Sequence, residues 1–332
     1  MTGSLESQPA RTASSGPPRV PDFFIVGHPK SGTTALYEML RRHPQIHMPD
    51  NKEPWFFCTD AWPRFKPPMA GMPPATLDAY LSLFSAAAPG QLVGEASSAY
   101  LWSAVAAQGI AAVQPQARIV AILREPADFL RSLHLQLVQD HIEWEKDLRR
   151  ALALEDERRQ GRHVPERSHL PQLLHYSRYV RYVEQLRRYR EAFGAERVLV
   201  LIYDDFKREN EATVRRVQRF LGIADAHPVE VVQANPTVRM RSLALDEMLH
   251  AVTVGRGPLS RAVKAGVKTL TPRALRRDAQ RLTLRHVVRA EPPPVDEQLM
   301  LELRRRFAPE VHALADYLDR DLVTLWEYDG IG

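Results

Sequence analysis

Cysteine is nearly absent. Cys58 is the only one in 332 residues, so neither an internal disulfide nor a cysteine-cluster metal site can be built. Beside Phe57 it reads as a small buried hydrophobe. No apolar run approaches the length of a membrane span, and the first residues hold no apolar signal region, so the expectation is a cytoplasmic protein with no transmembrane segment. Large apolar residues are scarce in Met1–Val20, which is rich in Ser, Pro, Gly and Thr and is expected to be a disordered tail over residues 1–20. Carboxylates are scarce in Gly255–Arg289, where Asp278 is the sole acidic residue. There is no internal repeat.

What is present describes an ordinary globular chain: 44% hydrophobic and 26% charged residues, with a formal net charge of +5. That charge suits an anionic ligand, a nucleic acid or an acidic membrane without choosing among them. The Gly255–Arg289 stretch has apolar residues at roughly helical spacing. It reads as amphipathic helix with solvated basic faces over 255–290, or functionally as a lid over an anionic ligand. Without interleaved aromatics, no nucleic-acid partner is expected.

The informative stretch is "FFIVGHPKSGTTALYEML", Phe23 to Leu40. Phe23 to Val26 form a continuous apolar run, as in a strand buried on both faces of a parallel sheet, and Gly27 ends it. Ala35, Leu36, Met39 and Leu40 then fall on one helical stripe. A loop between strand and helix N-terminus offers backbone N–H groups and the positive end of the helix dipole to an anion. Gly32 leaves room for a phosphate, Lys30 adds a cation, and Ser31, Thr33 and Thr34 add hydroxyls. The plain alternative is a turn with Gly27, Gly32 and a Thr33 cap. The nucleotide P-loop pattern does not fit, because Lys30 precedes Gly32. Nor does an apolar run end in a solitary Asp placed for magnesium; Asp204 and Asp205 follow Tyr203.

Further apolar runs at Gln91–Ser97, Ala117–Glu125 and Arg197–Phe206 alternate with helical patterns, including "TLDAYLSLFSAA" and "SRYVRYVEQLRRYREAFG". The expected fold is α/β, with a central parallel sheet between helical layers and a mostly helical C-terminal part. Ligand should sit at the carboxyl ends of the strands, where Pro29–Thr34, Glu95–Ser98 and Arg124 fall. In "ARIVAILREPADFLRSLHLQL", Arg124 ends a strand, Pro126 opens a helix and Ser132 lies two turns along it.

"HPKSGTT" resembles the 5′-phosphosulfate loop of the sulfotransferases that use 3′-phosphoadenosine 5′-phosphosulfate (PAPS). Arg124 eight positions before Ser132 resembles their 3′-phosphate motif, a task suited to the guanidinium fork. "HPQIHMPDNKEPWFF", "GEASSAYL", the segment ending "RVLVLIYDDF" and "FLGI" are similar to soluble bacterial sulfotransferases and, more distantly, to heparan-sulfate sulfotransferase domains. The resemblance spans roughly Pro21 to Asp329 and implies one P-loop-like three-layer domain over 21–332.

It also implies donor contacts from Pro29, Lys30, Ser31, Gly32, Thr33, Thr34, Arg124 and Ser132, with Arg239 and Arg241 as further 3′-phosphate contacts. PAPS would be the donor co-substrate, with no metal required, and the acceptor a hydroxyl of a small molecule, glycan or lipid. Lys30 would stabilise the leaving phosphate. Glu53 in "KEPWFF" occupies the position of a catalytic base, its aromatic neighbours excluding water; the plain reading pairs it with Lys52. Trp55, Phe56, Phe57 and Glu95 are candidate acceptor contacts, and Trp62 and Phe65 lie near them in sequence. His28 and His134 are the alternative bases. Where the heparan-sulfate enzymes follow their Glu with Lys, Ala96 follows Glu95, which argues against assuming a polysaccharide acceptor. Two other readings stay open: an ATP-dependent phosphotransferase and a non-catalytic anion- or nucleotide-binding protein.

Overall fold

The apolar run Phe23–Gly27 forms β1, the central strand of a five-stranded sheet. The computed structural model describes residues 19–61, 73–165, 170–223, 227–231, 239–240, 289–290 and 294–331. Around β1 stand β2 (Ile46–His47), β3 (Leu92–Ala96), β4 (Arg118–Leu123) and β5 (Val198–Ile202), in the order β2-β3-β1-β4-β5 with every neighbouring pair parallel. The three strands expected after β1 are therefore present. β2 is not legible in the sequence, because two residues carry no periodicity; its place is set by pairing with Leu92 and Val93.

Parallel strands need crossovers, and helices supply them. In chain order these are α1 (Thr33–Leu40), α2 (Leu77–Leu81), α3 (Ala106–Val113), α4 (Pro126–Gln139), α5 (Leu148–Ala153), α6 (Glu155–Arg159), α7 (Tyr176–Tyr179) and α8 (Tyr182–Phe193). After β5 come α9 (Tyr203–Arg208), α10 (Asn210–Leu221), α11 (Glu297–Leu318) and α12 (Leu322–Leu325). The β5 run stops at Ile202, where acids in the first turn and bases in the last favour helix α9.

Side chains alternate across β1, and each set finds its own core. Phe23 and Ile25 pack with Leu36, Leu40, Val120, Ile122, Phe206, Val214 and Val217 on the side of α1, α9 and α10. Phe24 and Val26 pack with Ile119, Ala121, Tyr80, Ile110, Leu186 and Val311 on the side of α2, α3, α8 and α11. Each such side chain contributes about 1.5–3 kcal/mol when fully buried. The loop at the end of β1 thus stands on a strand anchored on both faces of the sheet.

At the start of the described residues Arg19 donates to the Gln91 carbonyl at 2.8 Å, and Val20 packs against the core. Trp62, Phe65, Arg241 and all of the basic 255–290 segment except its last two residues lie outside the described residues. Arg289–Ala290 (β7) pairs antiparallel with Arg239–Met240 (β6), and β6 lies against α4.

The chain leaves β1 toward β2 and leaves β4 toward β5. The loops after these adjacent strands diverge, which makes their carboxyl ends the topological switch point where open α/β sheets hold ligands.

Candidate active site

At that switch point the loop after β1 turns tightly. A Cβ on Gly27 would meet Leu101 Cβ at 2.7 Å and the Ser98 carbonyl oxygen at 2.9 Å, so only glycine fits there. Gly32, at φ +86°, is the N-cap of α1, with Phe206 and Tyr203 ring carbons 3.0 and 3.2 Å from where its Cβ would be. No side chain among the described residues caps this helix. The first-turn N–H groups of α1 thus lack the side-chain acceptor that a capped helix provides. Ser31 and Thr33 are buried beside them.

Lys30 holds a left-handed backbone conformation, φ +61°. Burial depresses the pKa of its ammonium below the usual lysine range, and the nearby Arg124 charge lowers it further, with Asp140 opposing. Among the described residues Lys30 has no ion pair. Arg124 donates to the Lys30 carbonyl at 3.2 Å and lies with its guanidinium carbon 5.1 Å from the Tyr203 ring centroid. Its only carboxylate among the described residues is Asp128, at 3.4 Å and half exposed. Two cations therefore converge on an uncapped helix N-terminus, an arrangement that an anion with several oxygens would relieve.

Helix α4 fixes Arg124 from the other side. Glu125 is its N-cap, accepting from the N–H groups of Ala127 at 3.0 Å and Asp128 at 2.6 Å, and Pro126 occupies the first helical position. The Tyr328 hydroxyl also donates to Glu125, tying the C-terminal end to this turn. Ser132 is buried, four residues after Asp128 and so on the same face of α4.

Glu53 stands at the end of β3, next to β1, its N–H donating to the Ala96 carbonyl at 2.9 Å. It is left-handed, at φ +63°, a conformation that costs a non-glycine residue about 1–3 kcal/mol and persists where surroundings enforce it. The surroundings are its carboxylate's partners. Oε2 accepts from the Ser98 N–H and the Trp55 indole N–H, both at 2.8 Å; Oε1 accepts from the Ser98 hydroxyl at 2.8 Å and from the Lys52 ammonium. Trp55 thus acts through its polar edge. The Lys52 pair expected as the plain reading is present together with three further donors.

A sulfotransferase-domain model matches residues 20–247, more than two thirds of the chain. The chain belongs to the sulfotransferase family. A sulfotransferase structure from Alicyclobacillus acidocaldarius is 28% identical with a TM-score of 0.66, covering 93% of this chain and 99% of that one. This likeness confirms the P-loop-like α/β fold. Mouse carbohydrate sulfotransferase 15 is 29% identical over 153 residues, 35% of this chain and 27% of that protein. Mouse heparan sulfate glucosamine 3-O-sulfotransferase 6 is 34% identical over 125 residues, 36% of this chain and 31% of that one. The match thus spans about a third or less of these curated relatives.

Within this sulfotransferase domain, several residues singled out in the sequence lie away from the surface of the site. Phe56 and Phe57 are core residues, packed on Tyr80 with ring centroids at 4.6 and 5.2 Å. Glu95 is fully buried, and its Oε2 accepts from the Tyr100 and Tyr80 hydroxyls at 2.8 and 3.0 Å. Burial raises its pKa to about 7, the hydroxyls of Ser97, Tyr100 and Tyr80 opposing and the Glu53 charge adding to the rise.

His28 is fully buried against Phe129 and Tyr182, with Nε2 against Gln185 Oε1 at 2.8 Å, and burial lowers its pKa to about 4. His134 is buried too, its nitrogens on the Tyr176 hydroxyl (3.0 Å) and the Lys146 carbonyl (3.2 Å). Both histidines are packed within the protein, and His28 Nδ1 is buried without a hydrogen-bond partner among the described residues. Arg239 is on β6, beside α4.

Sequence reading missed Ser98, which fixes Glu53 with both its N–H and its hydroxyl, and Tyr203, which backs both Gly32 and Arg124. Ser98 left a signal, a serine at a strand end beside candidate residues; Tyr203 left none.

Proposed function

We propose that the protein transfers the sulfuryl group of PAPS to a hydroxyl of an acceptor. The observation that carries this reading is the convergence of Lys30 and Arg124 on the uncapped N-terminus of α1, with the fixed carboxylate of Glu53 at the next strand end. The N–H groups at Gly32–Thr34, with Ser31 and Lys30, take the 5′-phosphosulfate; Arg124 and Ser132 take the 3′-phosphate, with Arg239 and Arg241 as further contacts.

In the reaction the acceptor oxygen forms a bond to sulfur as the bond from sulfur to the phosphate oxygen breaks. Glu53 receives the acceptor's proton, and Lys30 stabilises the charge that develops on the leaving phosphate. Ser98, Trp55 and Lys52 occupy the lone pairs of Glu53, so the acceptor hydroxyl must displace one of them; the Lys52 ammonium, on a flexible stem, is the simplest to move. Trp55 is the acceptor contact best placed, because it already touches Glu53.

Calorimetry with 3′-phosphoadenosine 5′-phosphate against 5′-AMP tests the donor assignment. The 3′-phosphorylated ligand should bind far more tightly, and equal affinities would sink the proposal.

A further inference from the structure

A second cleft bears on what the acceptor is. Between the loop that follows β3 and helices α6 to α8 lies a cavity of about 180 Å³, with Trp102, Arg159, His175, Arg178, Arg181 and Arg188 in its wall. Four guanidinium groups and an imidazole face it, and Glu184 is the one carboxylate of the lining. That carboxylate serves two arginines, accepting from Arg188 at 2.6 Å and Arg181 at 3.3 Å. Arg178 lies over the Trp102 ring, 4.8 Å from its centroid, and pairs with Asp60 at 2.5 Å. Two buried nitrogens of the wall, Arg188 Nε and His175 Nε2, have no hydrogen-bond partner among the described residues.

The cleft is joined to the proposed base by two short pieces of chain. Ser98, which holds the Glu53 carboxylate, is four residues before Trp102. Asp60, seven residues after Glu53, accepts from the Ser103 hydroxyl at 2.6 Å and the Ala104 N–H at 3.0 Å in the cleft wall.

We infer that this cleft binds an acidic group of the acceptor, a carboxylate or a sulfate ester on the molecule that carries the reacting hydroxyl. The inference rests on the sulfuryl-transfer reading for the hydroxyl and on the cleft alone for the anion. Guanidinium forks match the planar carboxylate and the oxygens of a sulfate ester. A neutral acceptor would gain nothing from them. Because Glu184 already engages two of the arginines and is half exposed, it competes with the incoming anion, and the two kinds of substitution must act in opposite directions.

Three matched fluorescent probes supply the test: the 4-methylumbelliferyl glycosides of glucuronic acid, of glucose 6-sulfate and of glucose, titrated by anisotropy into full-length protein saturated with 3′-phosphoadenosine 5′-phosphate. At least one acidic probe should bind about tenfold more tightly than the neutral one, and comparison of the two acidic probes identifies carboxylate or sulfate as the preferred group. Arg181→Gln should shrink that preference several-fold, and Glu184→Gln should enlarge it. Arg215→Gln, which breaks a similar ion pair with Glu211 on α10, should leave it unchanged. The inference is overturned if the probes bind alike or not at all, if both cleft variants shift the preference in the same direction or not at all, or if Arg215→Gln shifts it as much as Arg181→Gln. Should the adenosine bisphosphate itself fail to bind, the donor reading falls, and the same titration without it still decides the cleft.

Discussion

Arg124 does its work through one guanidinium that touches the phosphate loop's backbone, an aromatic ring and a loosely held carboxylate. On the proposed reading its removal leaves the donor's 3′-phosphate unpaired, so Arg124→Ala should weaken 3′-phosphoadenosine 5′-phosphate by about 2–4 kcal/mol and hardly change AMP. Glu53→Gln should lower turnover by about 10²- to 10⁴-fold with an alcohol acceptor, with donor affinity preserved; near-normal turnover would remove Glu53 from its role. Glu95 tests burial rather than catalysis. Its pKa in the folded state, about 7, lies above the usual 4.5, so its contribution to stability is fully present below the unfolded value and is lost as pH rises through 7. Glu95→Gln mimics the protonated form. Urea midpoints should match wild type near pH 5 and exceed it near pH 8 by roughly 2–4 kcal/mol of stability. The placement of Lys30 and Arg124 at strand ends was legible because it follows from local spacing. The burial of Glu95 was not, because a sequence names a carboxylate without saying that Tyr80 and Tyr100 close over it.

At the scale of elements, strands with continuous apolar runs were readable and the joints between helices were not. "SRYVRYVEQLRRYREAFG" reads as one helix, yet it divides into α7 and α8. The Gln185 side chain donates to the carbonyls of Arg178 and Tyr179 at 2.9 and 3.1 Å, taking acceptors that a continuing helix would use, and Glu310 on α11 accepts the N–H of Val183 at 2.8 Å. Both partners are remote in the chain or hidden in side-chain geometry. The cap of α4 depends likewise on a distant residue, Tyr328, through Glu125. Tyr328→Phe removes a buried donor from that carboxylate and should cost about 1–3 kcal/mol of stability. If the cap positions Arg124, the same variant should weaken the 3′-phosphorylated ligand several-fold and leave AMP unchanged; equal losses for both ligands would make the contact purely structural.

For the whole molecule, on the proposed reading, the positive charge for the leaving phosphate comes from Lys30 and Arg124, side chains on two loops of one sheet. Activity should therefore persist in EDTA. If chelation abolished transfer and magnesium restored it with ATP as donor, the phosphotransferase reading would replace the present one. The layered arrangement itself was readable from the alternation of runs, while β2 and the β6–β7 pairing, each two residues long, depend on partners far along the chain. The order of the sheet also has a cost during synthesis. β1 leaves the ribosome first, but Phe23 pairs with Gly94 on one side and Arg118 on the other, so this apolar segment must wait with both edges open until its neighbours have been made. A nascent chain stalled before β4 should bind holdase chaperones that release it once residues through Leu123 have emerged, because only then are both edges closed.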